Sequence, residues 1–458
     1  MEHCHSWTSV EAQVAETAGV WNRCSSGSGV AGPRYSRTEH RTREKAYDEA
    51  LHRVKREARQ IPRTAYERLR VQQRIVDVFP PFATIALGLE PAAVHLLTET
   101  FLPVATQLAR WARSFDASLS MADTVQACRN AWTACGLQSL LNRPMELTPA
   151  ILAYSLLYPY SDNHLDNPGL SNVEKLHFSD RFRRRLRGQG PAACNCRESA
   201  IWKLVWLIEE QYPRPMYPQV YDCLLAIHRA QEESIAQLRR IGCQDECGDN
   251  LDLLRISCAK GGTSVVADAC LAQPWMTAEE IQFSFEWGTL LQLGDDLQDV
   301  REDLERGSAT LFTRAVSKGA KLDRLVLQLL NFSQHVGNRM DRLPNGTAML
   351  KDLLRMSWRS LILMAVADAQ QFFSPTLLAE LECCSPFRFS FLRARRTKLT
   401  GRETLYTTLF DAFIEAGPDV QCGLQPPTAR QPVPAPTAMS LSSERLLTST
   451  KSLSVNNA

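Results

Sequence analysis

The sequence predicts an all-α fold, and three observations carry the prediction. Apolar residues recur at helical spacing, between recognisable start and stop signals, over most of the 458 residues. Strand signals are nearly absent: no stretch sustains apolar/polar alternation, and no Asn-Gly turn joins two β-branched runs. The third is the stretch Leu291–Gly307, which gathers acids on a helix whose preceding half is apolar nearly all round, as a buried helix is.

The length fits two to three average domains, or one large helical domain with tails. Residues 1–40 include a Ser/Gly run after Cys24 and hold no sustained period, which predicts a poorly ordered tail. Residues 417–458 are rich in Pro, Ser and Thr and predict a disordered tail. Between them, 41–416 reads as a single α-helical domain. Hydrophobic residues make up 44% of the chain, enough for a sizeable core, and a net charge of +2 gives no bulk argument for nucleic acid or an anionic membrane surface. No apolar run of about 18 residues marks a transmembrane helix. The N-terminus lacks the charged-then-apolar pattern of a secretory leader. The 14 cysteines are scattered, several of them in apolar helical patterns, as reduced core residues of a cytoplasmic protein would be. Cys194/Cys196 and Cys243/Cys247 lack the paired spacing and the histidine of a zinc site. A homodimer stays open.

In order, 41–60 is a polar helix and 66–79 a second, stopped by Pro80-Pro81. Residues 83–115 form apolar helical segments broken by Gly88, Pro91 and Pro103, and 121–141 is amphipathic again. Thr148-Pro149 reads as an N-cap with proline at the first helical position. That helix runs to Asn167, with Pro159 as a kink, and Pro168-Gly169 ends it. Ser171 with Glu174 opens a helix that carries the arginine run 181–187 and stops at Gly188. Further helices lie at 197–211, 218–241 and 250–271. The last contains Lys260-Gly261-Gly262, a glycine pair that predicts a break or a close backbone approach. After the acidic helix come 309–317, 320–342, 347–373 and a segment from 376. Lone histidines (His177, His228, His335) read as structural, and the arginine run as a solvated face from which one or two members reach an anion.

Thr277 with Glu280 forms a capping box and Gly307 is a C-terminal stop, so one helix is expected from 278 to 306, roughly 43 Å long. Residues 295–305 hold six acids where the chain average gives about one. Asp295, Asp299 and Asp303 repeat every four residues on one face, with Asp296 beside them. Leu293, Leu297, Val300 and Leu304 form the opposite stripe, and Glu302 and Glu305 read as solvated. A second acidic centre, Asp162 and Asp166, lies about 130 residues earlier, one helical turn apart. Buried carboxylates need counter-cations. Two facing helices of this kind would make an oxygen-rich cage suited to Mg²⁺, whose coordination substrate phosphates commonly complete. Lys260, beside two glycines, is a candidate diphosphate contact.

These residues resemble the class I isoprenoid synthase superfamily. The run from Gln292 to Asp303 is similar to the second aspartate-rich motif of trans-prenyltransferases, with Gln292, Asp295, Asp296 and Asp299 on its QxxDDxxD pattern. It also resembles the corresponding motif of squalene and phytoene synthases, where Asp299 and Asp303 match. Lys260-Gly261-Gly262-Thr263 looks like the diphosphate-binding lysine motif, and Asp162 to Asp166 like a first aspartate-rich motif of the kind seen in large-terpene synthases. The resemblance covers roughly 145–320. It implies a helical bundle around a metal-lined cavity, several Mg²⁺ ions, a prenyl diphosphate substrate, and ionisation of that substrate. It implies Asp162, Asp166, Asp295 and Asp299 as catalytic, Asp296 and Asp303 as further metal ligands, and Lys260 and Gln292 as substrate contacts. The Arg-Arg-Gly and Gly-Lys-Arg elements of chain-elongating enzymes are missing, as is the NSE motif of ordinary terpene cyclases. The expected activity is therefore terpene synthesis. Head-to-head joining or elongation is the alternative within the class, and a silent helical scaffold the alternative outside it.

Overall fold

The computed structural model describes residues 9–24, 32–59, 64–165, 167, 169–235, 252–400 and 414, and every regular element among them is a helix. Ser9 caps the first, α1 (Val10–Arg23), by accepting from the Ala12 N–H. This corrects the expectation of a poorly ordered tail where it falls on residues 9–24, while residues 1–8 and 25–31 lie outside the described residues. Val14, Thr17, Val20 and Trp21 of α1 are buried, and Trp21 meets Phe332 edge to face at 5.8 Å. The helices α2 (Arg37–Ala58) and α3 (Ala65–Val76) begin in capping boxes, Ser36 with Glu39 and Thr64 with Glu67. Between Phe79 and Phe101 the chain is broken into short pieces. Two of them, Ala83–Leu87 and Leu97–Phe101, are π-helical, and Gly88 closes the first at φ 74°. Pro103, expected as a break, interrupts nothing. It sits in the first turn of α4 (Leu102–Phe115), where its missing N–H costs nothing.

Next come α5 (Met121–Leu140) and α6 (Pro149–Leu165), which contains Pro159. The capping box of Ser171 and Glu174 opens α7 (Asn172–Leu186), and α8 (Cys196–Gln211) and α9 (Pro218–Ser234) come after it. Then α10 (Leu253–Ala272) runs unbroken through Gly261 and Gly262. Thr277 and Glu280 form the expected capping box of α11 (Ala278–Gln298). The single helix expected over 278–306 is interrupted at Asp299, whose φ and ψ are −92° and 4°, before α12 (Val300–Arg306). Gly307 ends α12 in the left-handed region, as a glycine stop should. The remainder is α13 (Leu311–Ser317), α14 (Asp323–Arg342), α15 (Ala348–Asp368), α16 (Pro375–Cys383) and α17 (Phe389–Thr400). The tail expected over 417–458 lies outside the described residues. All described residues belong to one compact unit, Met1–Val420. None of its described helices is long and apolar enough to cross a membrane.

The core gathers on α11, which packs against α10, α14, α15 and α1. Phe283, Phe285, Trp287, Leu290, Leu293 and Leu297 are buried to 2% exposure or less. Each such side chain contributes roughly 1.5–3 kcal/mol. The α10–α11 contact is closer than side chains allow. A Cβ on Gly261 would run into the Gly288 carbonyl, and one on Gly288 into the Gly261 carbonyl. The glycine pair therefore marks a close backbone approach and not a break.

Candidate active site

The close approach of α10 and α11 sets one wall of a cavity of about 1060 Å³, at the upper end of the roughly 300–1,000 Å³ typical of small-molecule pockets. Trp287, Gly288, Leu291, Gln292 and Asp295 line it from α11, and Lys260, Gly261, Ser264, Val265 and Asp268 from α10. Arg129, Asn130 and Trp132 face it from α5, and Leu350, Leu354 and Trp358 from α15. Leu87, Leu89, Leu97 and Phe101 belong to the π-helical region, where the two irregular turns direct apolar residues inward. Most of this surface is apolar. Its polar members include Asp295, Gln292, Lys260 and Arg129.

Lys260 joins the two acidic centres. Its Nζ lies 3.4 Å from Asp162 Oδ1, and both side chains are largely buried. The same ammonium acts on Asp296 of α11, where it offsets part of the cost of the buried charge. Asp162 comes from the last turns of α6, so α6, α10 and α11 meet at this lysine. Asp166 lies outside the described residues. Asp296 is only 7% exposed. It accepts from Ser257 Oγ at 2.7 Å and from Gln292 Nε2 at 2.8 Å. Gln292, expected as a substrate contact, thus holds Asp296 while its stem lines the cavity. Asp295 is half-exposed and pairs with Arg129 at 3.8 Å.

Electrostatics separates these acids from ordinary surface carboxylates. Burial pushes Asp296 up to about 6 against its two hydrogen bonds. Burial, then the charges of Asp295 and Glu302, takes Asp299 to about 6. Burial, then Asp296 and Asp299, takes Asp303 to about 7. Along α11 and α12 the carboxylates repel one another in a partly dry environment, the condition that a divalent cation relieves. Glu302 and Glu305 are exposed, as expected. Leu293, Leu297 and Val300 of the opposite stripe are fully buried.

Among the described residues, no three His, Cys, Asp or Glu side chains are already arranged to hold a metal ion. Of the predicted ligands, Asp295 lines the cavity, whereas Asp162, Asp296, Asp299 and Asp303 do not. The donor chemistry nevertheless fits a hard cation: every group is a carboxylate oxygen, and burial, with neighbouring carboxylates, holds several at raised pKa.

The arginine run of α7 does not reach this site. Arg181 bonds Glu198, Arg183 bonds Glu232 and Arg185 bonds Glu209, and none of them lines the cavity. Arg129, which does line it, is the one basic residue of the amphipathic α5. Its sequence gives no local signal beyond a basic residue amid apolar neighbours. His228 is buried and bonds the Ser179 carbonyl at 3.0 Å, in keeping with a structural role. Comparison with protein-family models, curated proteins and solved structures finds no match for this chain.

Proposed function

We propose that the chain ionises an allylic prenyl diphosphate in a Mg²⁺-dependent reaction and works as a terpene synthase. One observation carries the reading: Lys260 sits between Asp162 and Asp296 at the wall of a large, mainly apolar cavity. A prenyl diphosphate has the matching two-part chemistry, a dense anion joined to an apolar chain. Lys260 and Arg129 meet the anion, and the cavity takes the chain. Asp162, Asp166, Asp295, Asp299 and Asp303, with Asp296 beside them, are the groups that would hold Mg²⁺. Bound Mg²⁺ supplies Lewis-acid stabilisation of charge on the departing diphosphate. Asp295 and Arg129 form a pair that an incoming anion can open, freeing the guanidinium for the diphosphate. Trp287, Trp358 and the leucines of the cavity exclude water from the allylic cation.

The test is a product assay. Purified protein with Mg²⁺ and prenyl diphosphates of graded chain length is expected to release diphosphate and yield hydrocarbon or alcohol products. No release from any of them would end the ionisation reading. Consumption of isopentenyl diphosphate would indicate elongation instead, and a product twice the substrate's length would indicate head-to-head joining.

A further inference from the structure

Lys260, Ser264 and Asp268 succeed one another every four residues on α10, and all three belong to the cavity wall. Eight residues of helix put Asp268 roughly 12 Å from Lys260 along the axis. Asp268 is a carboxyl group in the wrong place for a structural residue. It is fully buried on an apolar helix, and no Lys or Arg pairs with it among the described residues. Asn130 Nδ2, from the facing α5, donates to Oδ1 at 2.9 Å and to Ser155 Oγ at 3.1 Å. Oδ2 has no hydrogen-bond partner among the described residues. The neighbouring Tyr154 hydroxyl is turned to the Ser264 carbonyl at 3.1 Å. An orphaned oxygen on a buried wall is the feature that a ligand group can complete.

We propose that Asp268 and Asn130 form a second polar subsite of the cavity, which takes a hydroxyl, ether or carbonyl oxygen carried by an apolar ligand. It deepens the proposed function, and rests on it only in that the cavity accepts an apolar chain. Burial holds the Asp268 carboxyl well above the ordinary range, which favours its protonated form. With Oδ1 accepting from Asn130, a proton on this carboxyl belongs on Oδ2, where it is offered to the ligand oxygen. The ligand class is thus an oxygen-bearing isoprenoid chain: a substrate already oxygenated away from its diphosphate, or an alcohol product held before release.

The experiment displaces a fluorescent apolar dye from the full chain with two probes of equal carbon skeleton, farnesol and the saturated hydrocarbon farnesane. Neither probe carries diphosphate. The wild-type chain is expected to prefer the alcohol by roughly tenfold, the scale of one completed buried hydrogen bond. Asp268→Asn, which retains hydrogen-bonding groups, keeps the preference. Asp268→Leu abolishes it while farnesane binding persists. Equal displacement by both probes in wild type would overturn the subsite, and so would a preference that survives in Asp268→Leu, because the alcohol would then sit elsewhere. Should Asp268→Leu not fold, the carbonyl-stretch infrared signal that Asp268→Asn removes from wild type serves instead. It shifts on adding farnesol if the subsite is filled, and an unshifted band counts against it. Diphosphate release is scored separately, so a chain that prefers farnesol yet cleaves no prenyl diphosphate keeps the subsite and loses the ionisation reading.

Discussion

The two halves of α11 bury carboxylates by opposite means. In the first half, Glu286 is fully buried. Burial pushes its carboxyl up, but His335, Gln282 and Arg339 more than offset this, and the net shift is downward. Arg339 Nε donates to it at 2.7 Å and Gln282 Nε2 at 3.0 Å. Towards its end and on into α12, Asp296, Asp299 and Asp303 are all raised, although Asp296 accepts from Ser257 and Gln292. The stretch from α11 into α12 thus carries one carboxylate with its charge offset and three whose pKa is raised. The difference separates an acid that fastens the fold from the acids that the proposed function assigns to Mg²⁺. Burial is the first cause of each rise, and neighbouring carboxylates add to it: Asp295 at Asp296, Asp295 and Glu302 at Asp299, and Asp296 and Asp299 at Asp303.

The contrast can be broken from the structural side first. Glu286→Ala strips a buried charge network of its acid and leaves Arg339 with the partly exposed Glu279. A loss of roughly 3–5 kcal/mol is expected in denaturant unfolding, the scale for removing one partner of a buried pair. From the other side, Asp299→Asn should cut diphosphate release by at least about 100-fold, while the metal-free protein melts at the same temperature or higher. A large drop in melting temperature would make Asp299 a fastening residue and erase the contrast. Gly261→Ala forces a methyl into the Gly288 carbonyl and is expected to cost roughly 1–3 kcal/mol, read from the same unfolding curves.

The smallest effect is the dependence on pH, and the two halves differ in its sign. The raised acids bind more protons folded than unfolded, so their contribution is present on the acid side and lost as pH rises from about 4 to about 7. Glu286 is lowered, so its contribution is present above the unfolded value of about 4.3 and lost as pH falls. In metal-free buffer, replacing Asp296, Asp299 and Asp303 together by Asn should flatten the decline in melting temperature over that rising range. Mg²⁺ with a bisphosphonate should raise the wild-type melting temperature more near the top of the range than near its foot. A shift that is equal at both ends would mean that these carboxylates do not hold the ion.

Much of the scaffold is legible in the sequence because its signals are local. Thr277 with Glu280, Ser171 with Glu174 and Gly307 each specify a helix end through their own side chain or backbone freedom. Gly261-Gly262 points to a close approach, though only the fold reveals Gly288 as its partner. The hidden part is tertiary. Asn130 and Asp268 are 138 positions apart, and nothing near either one names the other. Arg129 acquires meaning only once α5 faces α11. The interruption at Asp299 has no glycine or proline to mark it. The helix α1 is masked by the Ser/Gly run behind it, which dominates the composition of the segment. Yet Val14, Val20 and Trp21 lie on its buried side. Asp162 is readable as a candidate, but its tie to Lys260 is not, since the two lie almost 100 positions apart.

The backbone-to-backbone seam between Gly261 and Gly288 has a consequence for how such a chain can change over time. Because the seam uses no side chains, it fixes how α10 and α11 meet in one wall of the cavity whatever side chains line the rest. Leu291, Val265 and Leu354 can then vary in bulk without moving Lys260 or Asp295. The division of labour makes the chain selectable in parts: the pocket's shape can drift while the helix contact that carries Lys260 and Asp295 stays where it is.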